Sequence, residues 1–378
     1  MRTGLCRVLL AGVLVVIVAG AASPAIAQGN DRQAPPPSAQ EQPQGNAQTV
    51  LATSESVAAA FRKMGWEVQV AGPEAQPTLA CTSAGRSNRA AVVLMGGDPA
   101  GGDAELLYVA TFRAFGDGVP TEDALKATNQ ASLLASFANS AYYPDTKELR
   151  VTYAVPAPWY RLDPVVLGMA DRLLEDDINR ARAGPLRDTE PAPPHDIVGP
   201  VVMYASGLDS AKLTEVERQA GERVSEVVPA TPESLADALR RWGYKVKVRD
   251  REAVPVMDCT GRKADHQPTG HNQRWKCQPR TVLLSSTAGL IHGGLQGTLR
   301  DGVSAQDALK ATNEANQQGN LVRFLFLPGS STVDALYDLP VPPYGFSPVV
   351  LNHLDDDFES EVWSIMGVGG PLGNVVKR

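Results

Sequence analysis

The sequence predicts an α+β protein: two tandem copies of an α-β-β-β-β-α-β-β-α domain, each built on a mostly antiparallel sheet. Three observations predict it. The segment DGVPTEDALKATN (117–129) returns as DGVSAQDALKATN (301–313). Flanking segments match at a nearly constant offset. Within each copy the apolar period switches between that of helix and that of strand in the same order.

The repeat extends well beyond that segment. ESVAAAFRKMGWEVQV (55–70) matches ESLADALRRWGYKVKV (233–248), and PTLACT (77–82) matches PVMDCT (255–260). YAVPAPWYRLDPVVL (153–167) matches YDLPVPPYGFSPVVL (337–351). The offset from Cys81 to Cys259 is slightly shorter than that from Asn129 to Asn313, so the loops between them differ in length. A unit of about 135 residues is too long for a solenoid repeat and long enough for a domain. The organisation read from this is copy 1 at 49–183, a Pro-rich linker with a candidate helix at 184–228, copy 2 at 229–366 and a loose C-terminal tail at 367–378.

Each element has a local reason. Val57, Phe61 and Met64 stand at helical spacing, as do Leu235, Leu239 and Trp242, and a glycine closes each helix. WEVQV and YKVKV alternate as strands with one wet face. TLACT and VMDCT, then AVVLM (91–95) and TVLLS (281–285), continue the sheet. LLYVATFRAF (106–115) and LIHGGLQGTL (290–299) form its fourth strand, the second weakened by glycines. Ser304 caps the middle helix of copy 2, which stops near Gly319; that of copy 1 is expected to run on through LLASFA (133–138). ELRVTYAV (148–155), and LVRFLFL (321–327) with VDALYDL (333–339), are the later strands. The closing helices carry Val166, Met169, Leu173, Leu174 and Ile178, and Val350, Leu354, Phe358, Val362 and Ile365, inward.

The ends and the charge bound the function. Arg2 and Arg7, an apolar run at 9–22 and the small residues AIA (25–27) read as a signal peptide over 1–27, so the chain is expected to be periplasmic or secreted and not membrane-embedded after cleavage. Residues 28–48 are rich in Gln, Pro and Gly and are expected to be a disordered leader. A net charge of −7, with no basic run after residue 27, argues against nucleic acid. There is no Gly-x-Ser-x-Gly elbow, P-loop or catalytic motif, and no cofactor or enzymatic activity is expected.

The cysteines outside the signal segment are Cys81, Cys259 and Cys277. In an oxidising compartment Cys259 and Cys277 are disulfide candidates, clamping an inserted loop for about 3 kcal/mol, with Cys81 left as a buried thiol or as one end of an intermolecular bridge. The same loop offers a second reading, a small-ligand or metal site in which Cys259, His266, His271 and Cys277 hold Zn²⁺ tetrahedrally. The acidic runs 175–177 and 355–357 read as solvated helix faces, because consecutive acids fan out around a helix. Trp66, Trp242 and Trp363 read as core. Trp159 and Tyr160, with Pro342 to Tyr344, form a repeated aromatic-proline segment that either packs or lines a peptide groove.

Copy 2 also resembles a YbjN-type domain, a family whose fold is similar to that of type III secretion chaperones. The features are an opening helix ending in Gly243-Tyr244, a middle helix closing in ATNEANQQGN (311–320), the strand RFLFL (323–327) and the acidic helix SPVVLNHLDDDFESEV (347–362). The N-x-x-N-like segment is Asn313 and Asn316; copy 1 has Asn129 and Ser132. The resemblance covers most of 230–366 and, through the repeat, much of 50–183. It implies a protein-binding or chaperone-like scaffold with an as yet unknown protein partner. Because the similar chaperones are homodimers, it also implies that the tandem folds into an intramolecular pseudo-dimer. The tandem, exported arrangement departs from family members, which are mostly single cytoplasmic domains.

Overall fold

Six helices and two antiparallel sheets, with one small strand pair, make up the described part of the computed structural model. The structure describes residues 49–51, 54–71, 78–82, 89–96, 104–157, 161–191, 226–241, 244–248, 255–258, 280–285, 290–319 and 321–377. The class is α+β. All four proposed cysteine and histidine ligands, Trp159, Tyr160, Trp242 and the candidate linker helix lie outside these residues.

The first half runs β1 (Val50–Leu51), α1 (Ser54–Lys63), β2 (Glu67–Ala71), β3 (Thr78–Thr82), β4 (Arg89–Gly96), β5 (Ala104–Ala114), α2 (Thr121–Leu134), β6 (Asn139–Tyr143), β7 (Glu148–Pro156), β8 (Arg161–Leu162), α3 (Pro164–Ala183) and β9 (Glu190–Pro191). The second runs α4 (Pro232–Arg241), β10 (Lys245–Val248), β11 (Pro255–Asp258), β12 (Arg280–Ser285), β13 (Leu290–Thr298), α5 (Ala305–Gln318), β14 (Arg323–Leu327), β15 (Thr332–Pro340) and α6 (Pro348–Met366). Their sheets have the orders β2-β3-β4-β5-β7-β6 and β10-β11-β12-β13-β15-β14. The short strands β1 and β8 pair with each other, and β9 pairs with β5. No helix among the described residues is long and apolar enough to cross a membrane.

The apolar stripes land where their spacing places them. Val57 and Phe61 of α1, Leu235 and Leu239 of α4, Leu174 and Ile178 of α3, and Leu354, Phe358, Val362 and Ile365 of α6 are buried. Trp66 is core, but Trp363 is 38% exposed, which corrects its reading as core.

Four further expectations change. The middle helix of the first half ends at Leu134 rather than running through 138. The carboxylate of Asp177 takes the N–H groups of Ser136, Phe137 and Ala138 at 2.9, 2.9 and 2.8 Å, and the chain leaves the helix to meet it. The acidic runs are solvated only in part: Asp176 and Asp356 are exposed, whereas Asp177 and Asp355 are 3% and 1% exposed. Each of the latter two is buried because it has donors of its own. Asp355 accepts from Tyr244 Oη, as Asp171 accepts from Trp66 Nε1 at 3.2 Å. Glu361, the counterpart of Asp177 in the repeat, accepts from Leu321 and Val322 N–H at 3.2 and 3.3 Å.

β13 forms over Leu290–Thr298 and pairs along its whole length with β15 despite its glycines. A Cβ at Gly293 would stand 2.0 Å from the ring of Tyr337, its cross-strand partner. The bare backbone makes room for the aromatic ring, which covers it. The tail is not loose either: Leu372 and Val376 are buried, and Lys377 N–H donates to Thr298 O at 2.7 Å.

The described residues belong to one compact unit, and a reciprocal set of polar contacts joins its two sheets. Asn313 on α5 donates from Nδ2 to Tyr142 O at 2.8 Å and accepts from Tyr142 N–H at 2.7 Å. Asn129 on α2 does the same to Phe326, at 3.0 and 3.1 Å. Asn129 and Asn313 are equivalent positions of the repeat, and so are Tyr142 and Phe326. Asn139, which opens β6, donates to Asn316 O and Gly319 O at the end of α5, and Arg323, which opens β14, donates to Ala135 O at the end of α2. Each middle helix therefore has its open carbonyls met by the other sheet. Asn316 holds its own strand, through Phe324 N–H and O at 2.8 and 2.9 Å, and also reaches Ser140 O of the first half at 3.4 Å. Around this seam Asp338 is buried with Arg323 at 3.2 Å and His292, while Tyr153 Oη donates to Asp338 O at 2.8 Å.

Candidate functional site

Pro342 and Tyr344 of the second aromatic-proline segment line a cleft. Its cavity volume is about 40 Å³, it is partly open to solvent, and residues of both halves line it. Pro156 and Val166 face it from one side, and their counterparts in the repeat, Pro340 and Val350, from the other. Leu339, Pro342 and Phe346 add apolar wall.

The polar groups of the groove come from two helix starts. Asp163 is the N-cap of α3; its Oδ1 accepts from Val165 N–H at 2.8 Å, and Pro164 supplies the preset φ of a first turn. Its Oδ2 accepts from Tyr344 Oη. Burial, first, and then the bond to a carboxylate push the Tyr344 hydroxyl well above the usual phenol range, so it stays a donor. Ser347 occupies the matching N-cap of α6 but makes no side-chain cap, and among the described residues its buried Oγ has no partner.

Arg161, on β8, is the cation of the groove. Among the described residues it has no carboxylate partner, and its Nε is buried without an acceptor. The matching position in the second half is Gly345, with φ +115. A Cβ there would lie 2.0 Å from Val228 O, because Val228 and Phe346 exchange backbone hydrogen bonds of 2.9 and 3.0 Å across that point. The close passage of the chain leaves room for glycine alone, so this pair of positions gives the groove one cation, not two.

Of the residues singled out from sequence, the structure brings Pro342 and Tyr344 to this groove and uses Asn129 and Asn313 to join the sheets. Cys81 lies in β3 opposite Val68. Cys259, His266, His271 and Cys277 lie outside the described residues, and among the described residues no three His, Cys, Asp or Glu side chains are grouped to hold a metal ion. Sequence reasoning missed Arg161, Asp163 and Ser347. The signal for the last two was the D-P and S-P pair opening each closing helix; for Arg161 there was none, since an arginine before a helix is ordinary surface composition. No family model, curated protein or solved structure matches the chain.

Proposed function

We propose that the chain is an exported, non-enzymatic protein-binding scaffold, an internal pseudo-dimer of two YbjN-like domains whose shared groove takes a segment of a partner protein. The supporting observation is that groove: equivalent positions of the two halves, Pro156 with Pro340 and Val166 with Val350, line one apolar cleft. Proline, valine and phenylalanine walls suit an extended apolar segment, which loses little entropy on binding if it is itself proline-rich. Duplication of one domain within a chain is then the covalent form of a dimer. The reciprocal Asn129 and Asn313 contacts are what such a dimer needs at its seam.

The test is peptide display against the purified chain, with Val350→Trp as the groove-filling control. Enrichment of apolar or proline-containing peptides, lost in the filled variant while its melting temperature holds, is the expected result. No enrichment, or peptides indifferent to the tryptophan, would remove the groove as the binding surface.

A further inference from the structure

We infer that the outer strand edges, β2 and β10, form a surface for a second copy of the chain, β2 of one copy against β10 of the next, and that Arg62 and Arg240 hold this surface closed. The inner edges, β6 and β14, are closed by Asn313 and Asn129. β2 and β10 stand at the other ends of the two sheets, and among the described residues neither has a strand beyond it. In an antiparallel ladder alternate residues turn both backbone groups away from the neighbouring strand, and at an edge those groups are a template for a further strand. Val68 and Val246 have that parity. Two residues before them, Trp66 and Tyr244 turn their N–H groups back to the opening helix, onto Phe61 O and Leu239 O at 3.1 and 3.3 Å. The outward carbonyls are met by arginine: Arg62 Nη2 donates to Val68 O at 3.4 Å, and Arg240 Nη2 to Val246 O at 3.3 Å. Both arginines are exposed, in the last turns of α1 and α4, and both contacts join equivalent positions of the repeat. One long bond to an exposed carbonyl is weak, so it screens the edge and yields to a strand that offers more.

The strands themselves decide what fits. β2 reads EVQVA and β10 reads KVKV. Valine holds the same alternate positions in both, with Glu67 and Gln69 beside it in one strand and Lys245 and Lys247 in the other. With the two strands antiparallel and Val68 opposite Val246 of a second copy, Glu67 comes opposite Lys247 and Gln69 opposite Lys245. Valine then meets valine on one side of the joined sheet, and acid meets base on the other. Two β10 edges in the same register would set lysine against lysine, and two β2 edges would gain no ion pair. The divergence of the two halves at these positions therefore selects the β2–β10 contact.

Sedimentation velocity of the full chain, parent against the double variant Arg62→Ala with Arg240→Ala, tests this. The parent is expected to sediment as a single copy. The double variant is expected to grow in mass with concentration while its melting temperature in dilute solution stays that of the parent, since both side chains are exposed. Adding Glu67→Lys, at another exposed position, sets like charges at the contact and should weaken the association about fivefold or more; adding Lys247→Glu as well should restore it. A double variant that remains a single copy at near-millimolar concentration overturns the surface. Association as strong in the parent as in the double variant overturns the role of the arginines. Association that ignores Glu67→Lys, as non-specific aggregation would, or that the charge exchange with Lys247→Glu fails to restore, overturns the β2–β10 contact.

Discussion

Asn313 holds both backbone groups of Tyr142, a residue 171 positions earlier in the chain. It occupies the place that a further strand would take beside β6, and Asn129 repeats the arrangement on β14. A sheet edge that would otherwise expose unpaired N–H and C=O groups is closed by a side chain. Asn313→Ala leaves Tyr142 N–H without a partner, while Tyr142 O keeps Gln317 Nε2. We expect a loss of about 1–3 kcal/mol in urea unfolding, and about 1–2 kcal/mol for the less buried Asn129→Ala. The double variant should deviate from additivity by more than about 0.5 kcal/mol, because the two contacts close one seam. Losses within the range of surface substitutions would sink the seam.

Asp177 ends α2 by taking three N–H groups from the chain that follows it. Asp177→Ala should cost about 3–5 kcal/mol, since three donors are left in the interior. Asp177→Asn keeps one acceptor and should recover part of that. Hydrogen exchange at residues 136–138 reports the same event locally; unchanged protection there in the alanine variant would contradict the capping role.

The hydroxyl of Tyr344 is raised above its ordinary value by burial and by Asp163. The folded chain therefore keeps a proton that the unfolded chain releases near about pH 10. The stability this contributes is complete below that pH and is lost as pH climbs toward the higher folded value. Tyr344→Phe should flatten the fall in stability above about pH 10 relative to the parent chain, measured as the difference between their denaturation midpoints. Identical alkaline slopes would show that Tyr344 titrates as it does in the unfolded chain.

Gly345→Ala forces a side chain into a backbone region reserved for glycine and onto Val228 O. A loss of more than about 2 kcal/mol is expected, read as a lowered urea midpoint. A neutral outcome would mean that the Val228–Phe346 bridge moves aside readily, and that a second cation at position 345 is sterically allowed.

For the loop at 259–277, intact mass of the chain recovered from an oxidising compartment separates the two readings made from sequence. A mass two hydrogens below that of the reduced chain, with one alkylatable thiol, is the expected disulfide signature. Three free thiols and retained metal under native conditions would instead assign the loop to Zn²⁺.

The order of helices and strands was legible because period is local. Val57 and Phe61, or Leu354 and Phe358, announce one face of a helix whatever lies opposite. β6 was harder: NSAYY (139–143) has no alternating period, since four of its five residues are buried on both faces. The acidic runs misled for a related reason. Composition says that Asp355 and Asp177 carry charge, and only the fold supplies Tyr244 Oη and the N–H groups of 136–138 that allow that charge to be buried.

Period and repeat were thus enough for the α+β class, the element order and the pairing of equivalent positions such as Asn129 with Asn313. What stands across from each of those positions came only with the fold. Whether Asn129 faces water or Phe326, 197 residues on, depends on how the two sheets close against each other. So does the fate of Arg161, an ordinary surface arginine in the sequence whose Nε is buried without an acceptor in the fold. Periodicity records the direction in which a side chain leaves its own element. It carries no record of the distant backbone that direction will meet, because that partner is selected by packing of the whole chain.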